Sequence, residues 1–453
     1  MSTSYDVRVW KTETVRGTRG NSFKVRWAVA GRRWKQSFRS AALADSFRAE
    51  LLAAARKGEA FDTDTGRPAT GPVVPTASWY EFACSYVDMK WPDAAGKSRM
   101  GIAETLATVT PALLSDRRGR PSETVVRAAL YGWAFNTRAR NACGPPAELA
   151  DVTRWLETHT VPVAELAKPQ LIRAVLARIG SKLDGSPAAA STVGRKRAVF
   201  HNALAYAVER GLLSQNPLAT LKTKKPRTVE VVDKRVVASP EQAARLLDGV
   251  RQQGRTGRHL VVFFGLMYYS ALRPAEAAAL SKGDLAIPSE GWGELYLPKS
   301  APTTGAAWAD SGKRRDRRGL KHRPREEVRP VPCPPPLTEL LQAHLAEFGT
   351  AADGRLVRGV RGSDLSDSTY GRVWKKAREL ALTPEEAASP LARRPYDLRH
   401  AAVSTWLNGG VPATQVAEWA GHSVAVLLRV YAKCIAGQDN VAREQIGRAL
   451  GLG

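Results

Sequence analysis

The sequence is poor in cysteine and has no long apolar run. Four cysteines are spread over 453 residues, and none belongs to a C-x-x-C pair. Such spacing argues against a zinc module and against the disulfide framework of a small secreted protein. The start, MSTSYDVRVWKTE, lacks the apolar centre of a signal peptide, and the longest apolar run, at 260–272, is shorter than the about 20 residues that span a bilayer. We expect a water-soluble, cytoplasmic protein.

Acidic residues are also in short supply. The chain has 43 Asp and Glu against 68 Lys and Arg, which gives a net charge of +25 and a pI near 10.2. So large an excess of positive charge indicates a polyanionic partner, with nucleic acid favoured over a membrane surface. Charge alone leaves the reaction open, because ribosomal and chromatin-like proteins share this property.

A chain of 453 residues is long for one hydrophobic core, since single cores rarely grow beyond about 250–300 residues. Composition and periodicity predict a multidomain, mainly α fold with small β elements. The expected segments are an α+β module at 1–60, a linker at 61–78, an all-helical region at 79–221, a basic linker at 222–237 and a mainly α region with a β-hairpin at 238–453.

Alternating apolar and polar residues predict strands at 5–10, 23–29 and 33–38 in the first module, followed by a helix at 41–57. Helical spacing and helix start signals predict the remaining helices. They are expected at 79–90, 101–114, 123–135, 146–158, 168–178, 191–209, 240–251, 258–272, 274–281, 336–347, 366–381, 397–408, 412–420 and 424–432. Two more strands, at 293–297 and 327–331, are expected to form the hairpin.

Basic side chains cluster in three of these segments. Those on the strands of the first module could place one sheet face against a DNA groove, and a solvated basic face is the alternative. The helix at 191–209 begins with a basic triplet, and the second linker contains two lysines. The candidate DNA-binding residues are Arg8, Lys24, Arg26, Arg33, Lys35, Arg195, Lys196, Arg197, Lys224 and Lys225.

Two runs in the last region suggest chemistry. One is SALRPAE at 270–276, and the other begins with YDLRH at 396–400 and continues through Gly421 and His422 to Tyr431. This segment is expected to form three helices joined by two turns. Arg399, His422 and Tyr431 lie at ends of these helices, so the turns should bring them close together. Two guanidinium groups, from Arg273 and Arg399, can hold the oxygens of one phosphate by paired hydrogen bonds. This set suits phosphoryl transfer, and the sequence shows no carboxylate cluster of the kind that holds Mg²⁺.

These runs resemble the tyrosine site-specific recombinase (phage integrase) family, in particular the integrases of actinobacterial-type phages and integrative elements. Arg273 matches the first arginine box, Arg399 the second, and Gly421-His422 precedes Tyr431 by the family's nine-residue step. Ser270-Ala271 replaces the usual Thr-Gly. The segment order also resembles these integrases, which implies an arm-type DNA-binding domain at 1–60, a helical, SAM-like core-binding domain at 79–221 and a catalytic domain at 238–453.

The resemblance implies the site residues and their roles. Tyr431 would attack DNA to form a 3′-phosphotyrosyl link, Arg273 and Arg399 would bind the phosphate, and His422 would hydrogen-bond it. A hairpin lysine would protonate the leaving oxygen; Lys299, Lys313 and Lys321 lie in the interval, and Lys321 fits best because it directly precedes the second strand. Tyr396 replaces the family histidine, which leaves the general base open because a phenol with a pKa near 10 is a poor base. The supporting candidates are Tyr396, Glu276 and His400.

The resemblance further implies what the protein does. It would be a site-specific DNA recombinase or integrase that inserts or excises a mobile element, with no cofactor, metal or ATP. Its partners would be double-stranded attachment sites bound by a homotetramer, with a possible accessory DNA-bending or excision factor, so the cytoplasmic protein would associate with the nucleoid. The alternatives are a non-catalytic, sequence-specific DNA-binding protein on the same fold and a type IB-like topoisomerase.

Several of these residues also have plain structural readings. Tyr431 shares one helix face with Val424, Leu427 and Leu428, so it could be a core tyrosine. Asp397 reads as a helix N-cap, and Glu276 could either complement a helix dipole or hold Arg273. His400 lies about 100° around its helix from Arg399. The order of Arg273, Arg399, His422 and Tyr431 together favours the catalytic interpretation.

Overall fold

The fold is described from a computed structural model of the chain. It covers residues 3–17, 20–69, 77–115, 119–223, 231–320, 327–359, 362–432, 434, 443 and 446–451, without the side chains of residues 17, 20 and 21. None of the helices in these ranges is long and apolar enough to cross a membrane.

The structure is mainly helical with three small sheets, which confirms the expected fold class. The strands are β1 (Thr3–Ser4), β2 (Val7–Val9), β3 (Glu13–Gly17), β4 (Gly20–Val29), β5 (Arg32–Phe38), β6 (Phe61–Asp62), β7 (Leu285–Ala286), β8 (Gly293–Leu297) and β9 (Arg329–Cys333). The α-helices are α1 (Ala41–Arg56), α2 (Trp79–Lys90), α3 (Gly96–Val109), α4 (Glu123–Arg127), α5 (Thr137–Ala142), α6 (Ala147–His159), α7 (Pro169–Ile179), α8 (Ala190–Glu209), α9 (Pro217–Thr220), α10 (Pro240–Arg251), α11 (Gly254–Tyr269), α12 (Pro274–Ala277), α13 (Pro335–Phe348), α14 (Asp367–Ala381), α15 (Pro384–Ala388), α16 (Asp397–Asn408), α17 (Ala413–Ala420) and α18 (Val424–Tyr431).

The chain divides into two compact units. The first contains Met1–Phe82, Val161–Ile172 and Ala203–Leu221, and the second contains Ala83–Thr160, Arg173–Asn202 and Lys222–Gly453. The three-domain division expected from the sequence stays a prediction.

The first unit contains a sheet built around the long strand β4. Strands β2 and β3 pair with successive halves of one edge of β4, and β5 pairs with its other edge, all antiparallel. Val25, Trp27 and Val29 alternate along β4 and pack with helix α1 in a buried core. The sequence pattern missed β3 because its one apolar side chain, Val15, is exposed. Phe61 of β6 is fully buried in the same core, so the module continues beyond residue 60.

The core of the second unit is built around helix α11, which contains most of the longest apolar run. Its side chains from Leu260 to Tyr268 are buried, apart from Gly265, which has none. Helices α10, α13 and α14 pack around it, and Phe264 stacks on Trp374. The antiparallel sheet β7-β8-β9 adds Leu295 and Val331, which are paired in register, to this core. The helix expected at 274–281 is shorter and ends at Ala277, and a 3₁₀ helix follows at Lys282–Asp284.

Between β8 and β9 the chain extends the hairpin through the pairs Ser300–Arg318 and Thr303–Arg315. In the basic run at 313–318, Arg315 is buried and donates to the carbonyls of Ala301 and Leu365. The tip of this extension, residues 306–310, lies against the residues around α3 to α5 of the same unit. We call this tip the hairpin tip.

Candidate active site

Three short helices near the C-terminus form one wall of the site, as the sequence pattern predicts. Helix α17 ends at Gly421, which has the left-handed φ of 64° that favours glycine, and the turn places His422 beyond it. Ser423 caps the next helix, α18, by accepting from the backbone N–H of Val426. Asp397 is not the N-cap of α16. It is the first helical residue, and its buried carboxylate accepts from the backbone N–H of Arg394 at 2.8 Å.

Arg399 occupies the centre of the site and is fully buried. Its guanidinium donates to the carbonyls of Ala271 and Ala420, and Nη2 lies 2.9 Å from Nε2 of His422. Burial and the nearby Arg273 lower the pKa of Arg399. Ala271 has a left-handed φ of 50° in the position where the family usually has glycine, so its carbonyl meets Arg399 at some cost in backbone strain.

Arg273 leaves the junction between α11 and α12, as expected. Its Nη1 donates to Glu276 at 2.7 Å, and its Nη2 donates to the carbonyl of Gly421 at 2.6 Å. The Arg273 side chain is 23% exposed, whereas that of Glu276 is 2% exposed. Arg273 is therefore held by a buried carboxylate while part of its side chain stays accessible to solvent. Glu276 also accepts from the backbone N–H of Arg273, which fixes both ends of the arginine.

A third arginine, Arg329 on β9, was missed by the sequence argument. It is 1% exposed, and its two terminal nitrogens donate to the two oxygens of Glu276 at 3.1 and 2.8 Å. Burial alone would raise the pKa of Glu276, but Arg329, Arg273 and Arg399 outweigh it and hold the pKa at about 2. A signal existed, since Arg329 alternates with the apolar Val331 and Cys333 on the buried face of its strand.

Tyr431, the candidate nucleophile, is fully buried at the end of α18. Its hydroxyl lies 2.9 Å from Nδ1 of His400, and its ring is 6.2 Å from the ring of His422. Burial raises the pKa of Tyr431. Burial, followed by Arg399, lowers the pKa of His400 to about 4 and that of His422 to about 3. At neutral pH both imidazoles are therefore uncharged and the phenol keeps its proton.

The remaining supporting candidate, Tyr396, also lies in the site. Its ring is 5.1 Å from that of His400, and its hydroxyl bonds to Arg273 and helps to raise the pKa of that arginine, against the effect of burial. The structure thus brings together Arg273, Glu276, Tyr396, Arg399, His400, His422 and Tyr431.

The expected general acid, Lys321, lies outside the described residues, as do Lys224 and Lys225. The chain before Lys321 is anchored by buried Leu320, and the chain after it enters β9 with Arg329 bound to Glu276. The described residues on either side of Lys321 are therefore fixed to the core of the second unit.

The candidate DNA-binding residues fall into two groups. Strand register places Arg26 opposite Lys35 and Ala28 between Arg8 and Arg33, on the sheet face opposite to buried Val25 and Trp27. Lys24 shares this outer face. On α8, Lys196 is instead buried, with its ammonium 3.0 Å from the Thr108 hydroxyl and 2.8 Å from Glu104.

The neighbours of Lys196 on α8 remain nearer to solvent. Arg195 is exposed and lies 3.9 Å from Glu104, and Arg197 donates to the Thr223 hydroxyl at 2.9 Å.

The site as a whole can bind and activate a phosphodiester. Two guanidiniums and a neutral imidazole provide donors for an anion, and a phenol hydrogen-bonded to a second neutral imidazole provides a nucleophile. Glu276 brings one negative charge to Arg273, Arg329 and Arg399, so the site keeps a net positive charge for an anionic ligand.

Comparison with known proteins finds relatives in sequence and in fold. The chain is 26% identical over 259 residues to the tyrosine recombinase XerC of Mycobacterium tuberculosis, and equally to that of Mycobacterium bovis, with 54% of this chain and 74% of the relative covered. A fragment of the Tn1549 transposon integrase in complex with transposon right end DNA shares the fold, with a TM-score of 0.51 and 14% identity, covering 82% of this chain and 99% of that chain. No protein-family model matches the chain.

Proposed function

We propose that this chain, which belongs to the tyrosine recombinase family, is a site-specific DNA recombinase that integrates or excises a mobile element. The observation that carries the proposal is the convergence of Arg273, Arg399 and His422 beside a hydrogen-bonded Tyr431. The resemblance that the sequence suggested is thus confirmed at the level of the family and its fold.

In the proposed reaction, Tyr431 Oη attacks the scissile phosphorus and forms a 3′-phosphotyrosyl bond while the 5′-oxygen leaves. Arg273 and Arg399 neutralise the oxygens of the phosphate, whose negative charge must be stabilised in the transition state. His422 hydrogen-bonds the same phosphate. The 5′-hydroxyl of a partner strand then attacks the phosphotyrosine, so each broken bond is replaced by an equivalent one. No ATP or metal is needed in this scheme.

The geometry indicates how DNA would engage the site. Arg273 is the arginine with an exposed edge, so we expect it to meet the phosphate first. The hydroxyl of Tyr431 is buried beside His400, so DNA must gain access to it before the attack.

Lys321 is the proposed donor of the proton to the leaving 5′-oxygen. Support comes from the described residues on either side of it, since Leu320 is in the core and Arg329 is bonded to Glu276. Lys299 and Lys313 remain the alternatives for this role.

Duplex DNA is the proposed partner, bound as attachment sites by a homotetramer, with an accessory DNA-bending or excision factor as a further possible component. The outer face of the N-terminal sheet, with Arg8, Lys24, Arg26, Arg33 and Lys35, would contact arm-type sites. Arg195 and Arg197 would contact the core site, and Lys196, buried against Glu104, would support α8 from within.

The test uses a nicked duplex that carries the attachment-site junction recovered from the element encoding this chain. We expect the wild-type protein to form an adduct that survives denaturing electrophoresis. Tyr431→Phe should form no adduct, because it lacks the hydroxyl that attacks DNA. Its dissociation constant for the duplex should stay within about twofold of wild type, because the substitution removes no contact to the phosphate. Fluorescence anisotropy measures the binding.

Other outcomes select the alternatives. A wild-type protein that binds the duplex but never forms an adduct would be a DNA-binding protein on this fold. Relaxation of supercoiled plasmid that lacks the attachment site, at the rate seen with the site present, would point to a topoisomerase. An adduct with Tyr431→Phe would remove Tyr431 from the nucleophile's role.

A further inference from the structure

The hydroxyl of Tyr431 makes a direct contact with a histidine to which the recombinase reaction as proposed assigns no role. Nδ1 of His400 lies 2.9 Å from Tyr431 Oη, and the two rings are 5.6 Å apart. His400 belongs to the first turn of α16, next to Arg399 in sequence. One turn of helix therefore offers both an arginine for the phosphate and an imidazole for the nucleophile.

Tyr431 needs a proton acceptor in order to attack. Its buried phenol is protonated at neutral pH, since burial raises its pKa. Tyr396, one helical turn before His400, is a phenol hydrogen-bonded to Arg273, and a phenol is a weaker proton acceptor than an imidazole.

The second histidine of the site, His422, already has a hydrogen-bond partner. Nε2 of His422 faces Nη2 of Arg399, which can only donate, so Nε2 accepts and the ring carries its proton on Nδ1. That nitrogen is a donor and is suited to a phosphate oxygen. Among the described residues, His400 is then the imidazole whose nitrogen touches the Tyr431 hydroxyl.

We propose that His400 is a catalytic residue that accepts the proton of Tyr431 through Nδ1 as the phenol attacks DNA. The inference rests on the proposed function. The Tyr431 O–H bond breaks and the proton moves to Nδ1 of His400. The Oη lone pair forms the bond to phosphorus, the bond from phosphorus to the 5′-oxygen breaks, and that oxygen takes a proton from the general acid. In the rejoining step His400 returns its proton to the departing Tyr431.

The surroundings of His400 favour this role. Arg399 is its neighbour on α16, Tyr396 precedes that helix, Arg394 lies in the preceding loop, and Tyr431 faces it from α18. The two arginines and burial disfavour an imidazolium, so His400 is neutral and able to accept a proton at pH 7. The same arginines lower the affinity for the proton once it is taken, which helps its return.

The decisive variant is His400→Gln, because the amide oxygen can still accept the hydrogen bond from Tyr431 but cannot take its proton. Single-turnover cleavage is followed on the attachment-site duplex with a bridging 5′-phosphorothiolate, whose sulfur leaves without a proton and removes the general acid from the pH profile. We expect wild-type cleavage to be flat from pH 7 to 9. His400→Gln should cleave about 100- to 10,000-fold more slowly at pH 7 and gain about tenfold per pH unit, as hydroxide replaces the base.

Chemical rescue gives a second readout. His400→Gly should regain at least about tenfold in rate with added imidazole, since the free base can occupy the vacated space. The control is His159→Gln, a histidine that bonds to Thr158 and Trp155 of its own helical segment, which should leave the rate and pH profile unchanged. Circular dichroism melting checks that each variant is folded.

A third readout needs no DNA. Nitrogen-15 NMR of the histidine-labelled full chain, assigned by loss of the signal in His400→Gln, should show Nδ1 of His400 without a proton and Nε2 with one. A protonated Nδ1 in the wild type overturns the inference.

The kinetic outcomes separate this inference from the proposed function. An adduct with Tyr431→Phe, or no wild-type adduct, overturns both. A normal wild-type adduct together with His400→Gln cleavage within about threefold of wild type overturns the role of His400 alone. Slow cleavage by His400→Gln that neither rises with pH nor responds to imidazole in His400→Gly also overturns it, because it shows only a structural contribution.

Discussion

At the scale of single residues, the site depends on one buried carboxylate shared by two arginines. Glu276 accepts from the guanidinium of Arg273 with one oxygen and from that of Arg329 with both, and the Arg329 side chain is only 1% exposed. A buried charge without a partner is costly, so the two arginines and the glutamate must be present together. Arg329 contributes to the site by fixing Glu276, through which it positions Arg273.

We therefore expect Arg329→Met to be strongly destabilising. It removes one of two cationic partners from buried Glu276, which should lower the free energy of unfolding by about 3–5 kcal/mol. Urea denaturation at pH 7 measures the loss. The matched control is Arg258→Met, which breaks a half-exposed pair with Glu347 and should cost at most about 1 kcal/mol. Equal losses in the two variants would contradict this account of Arg329.

At the scale of elements, the hairpin tip packs against the residues around α3 to α5 within the second unit. Trp308 is buried, with its ring 5.9 Å from that of Trp91 and 5.2 Å from that of Tyr131. Arg99, itself buried, donates to the carbonyl of Trp308 and to Asp310. The tip thus fastens the extended hairpin to the helices that follow residue 90.

Trp308→Ala tests this joint. Loss of a buried indole from a packed aromatic cluster should lower the free energy of unfolding by about 3–5 kcal/mol. Trp292→Ala is the matched control in the same hairpin, since Trp292 is 67% exposed and should change stability by about 0.5 kcal/mol or less. Thermal and urea unfolding measure both. If Trp308→Ala behaves like Trp292→Ala, the hairpin tip does not fasten the helices.

At the scale of the whole molecule, positive charge is distributed well beyond the site. The outer face of the N-terminal sheet is basic and lies opposite the face that packs on α1. In the proposed function this face increases the local concentration of the chain at its sites, a contribution that adds to core-site binding without taking part in chemistry.

Deletion of residues 1–76 should therefore abolish binding to arm-type sites and spare adduct formation on the nicked core duplex at high protein concentration. The deletion extends past Phe61, because this core residue would be exposed to solvent if the sheet that covers it were removed. The matched full-length control, Arg33→Glu with Lys35→Glu, changes two exposed side chains of β5 and should show the same loss of arm binding with the fold intact. Loss of core cleavage in the deletion alone would mean that the module has a structural role.

The sequence by itself determined the properties that depend on neighbouring residues. Apolar periodicity and helix start signals placed α2, α10 and α16 at their observed bounds, and glycine marked the end of α17. The order of Arg273, Arg399, His422 and Tyr431 indicated the family, because each of these residues lies at a helix end that local patterns reveal. These features arise from hydrogen bonds and side-chain contacts within a few turns of chain.

Only the tertiary structure decided which distant residues meet. Arg329 reaches Glu276 across 53 positions, and the contact from His400 to Tyr431 crosses 31. The packing of Trp308 on Trp91 joins still more distant parts of the chain. No local pattern specifies such pairs, since they result from how the sheet, α16 and α18 pack on one core. The same packing excludes water, and this loss of solvation lowers the pKa of His400 and raises that of Tyr431. The packing also brings Arg329, Arg273 and Arg399 around Glu276, and these arginines hold its pKa low against the effect of burial.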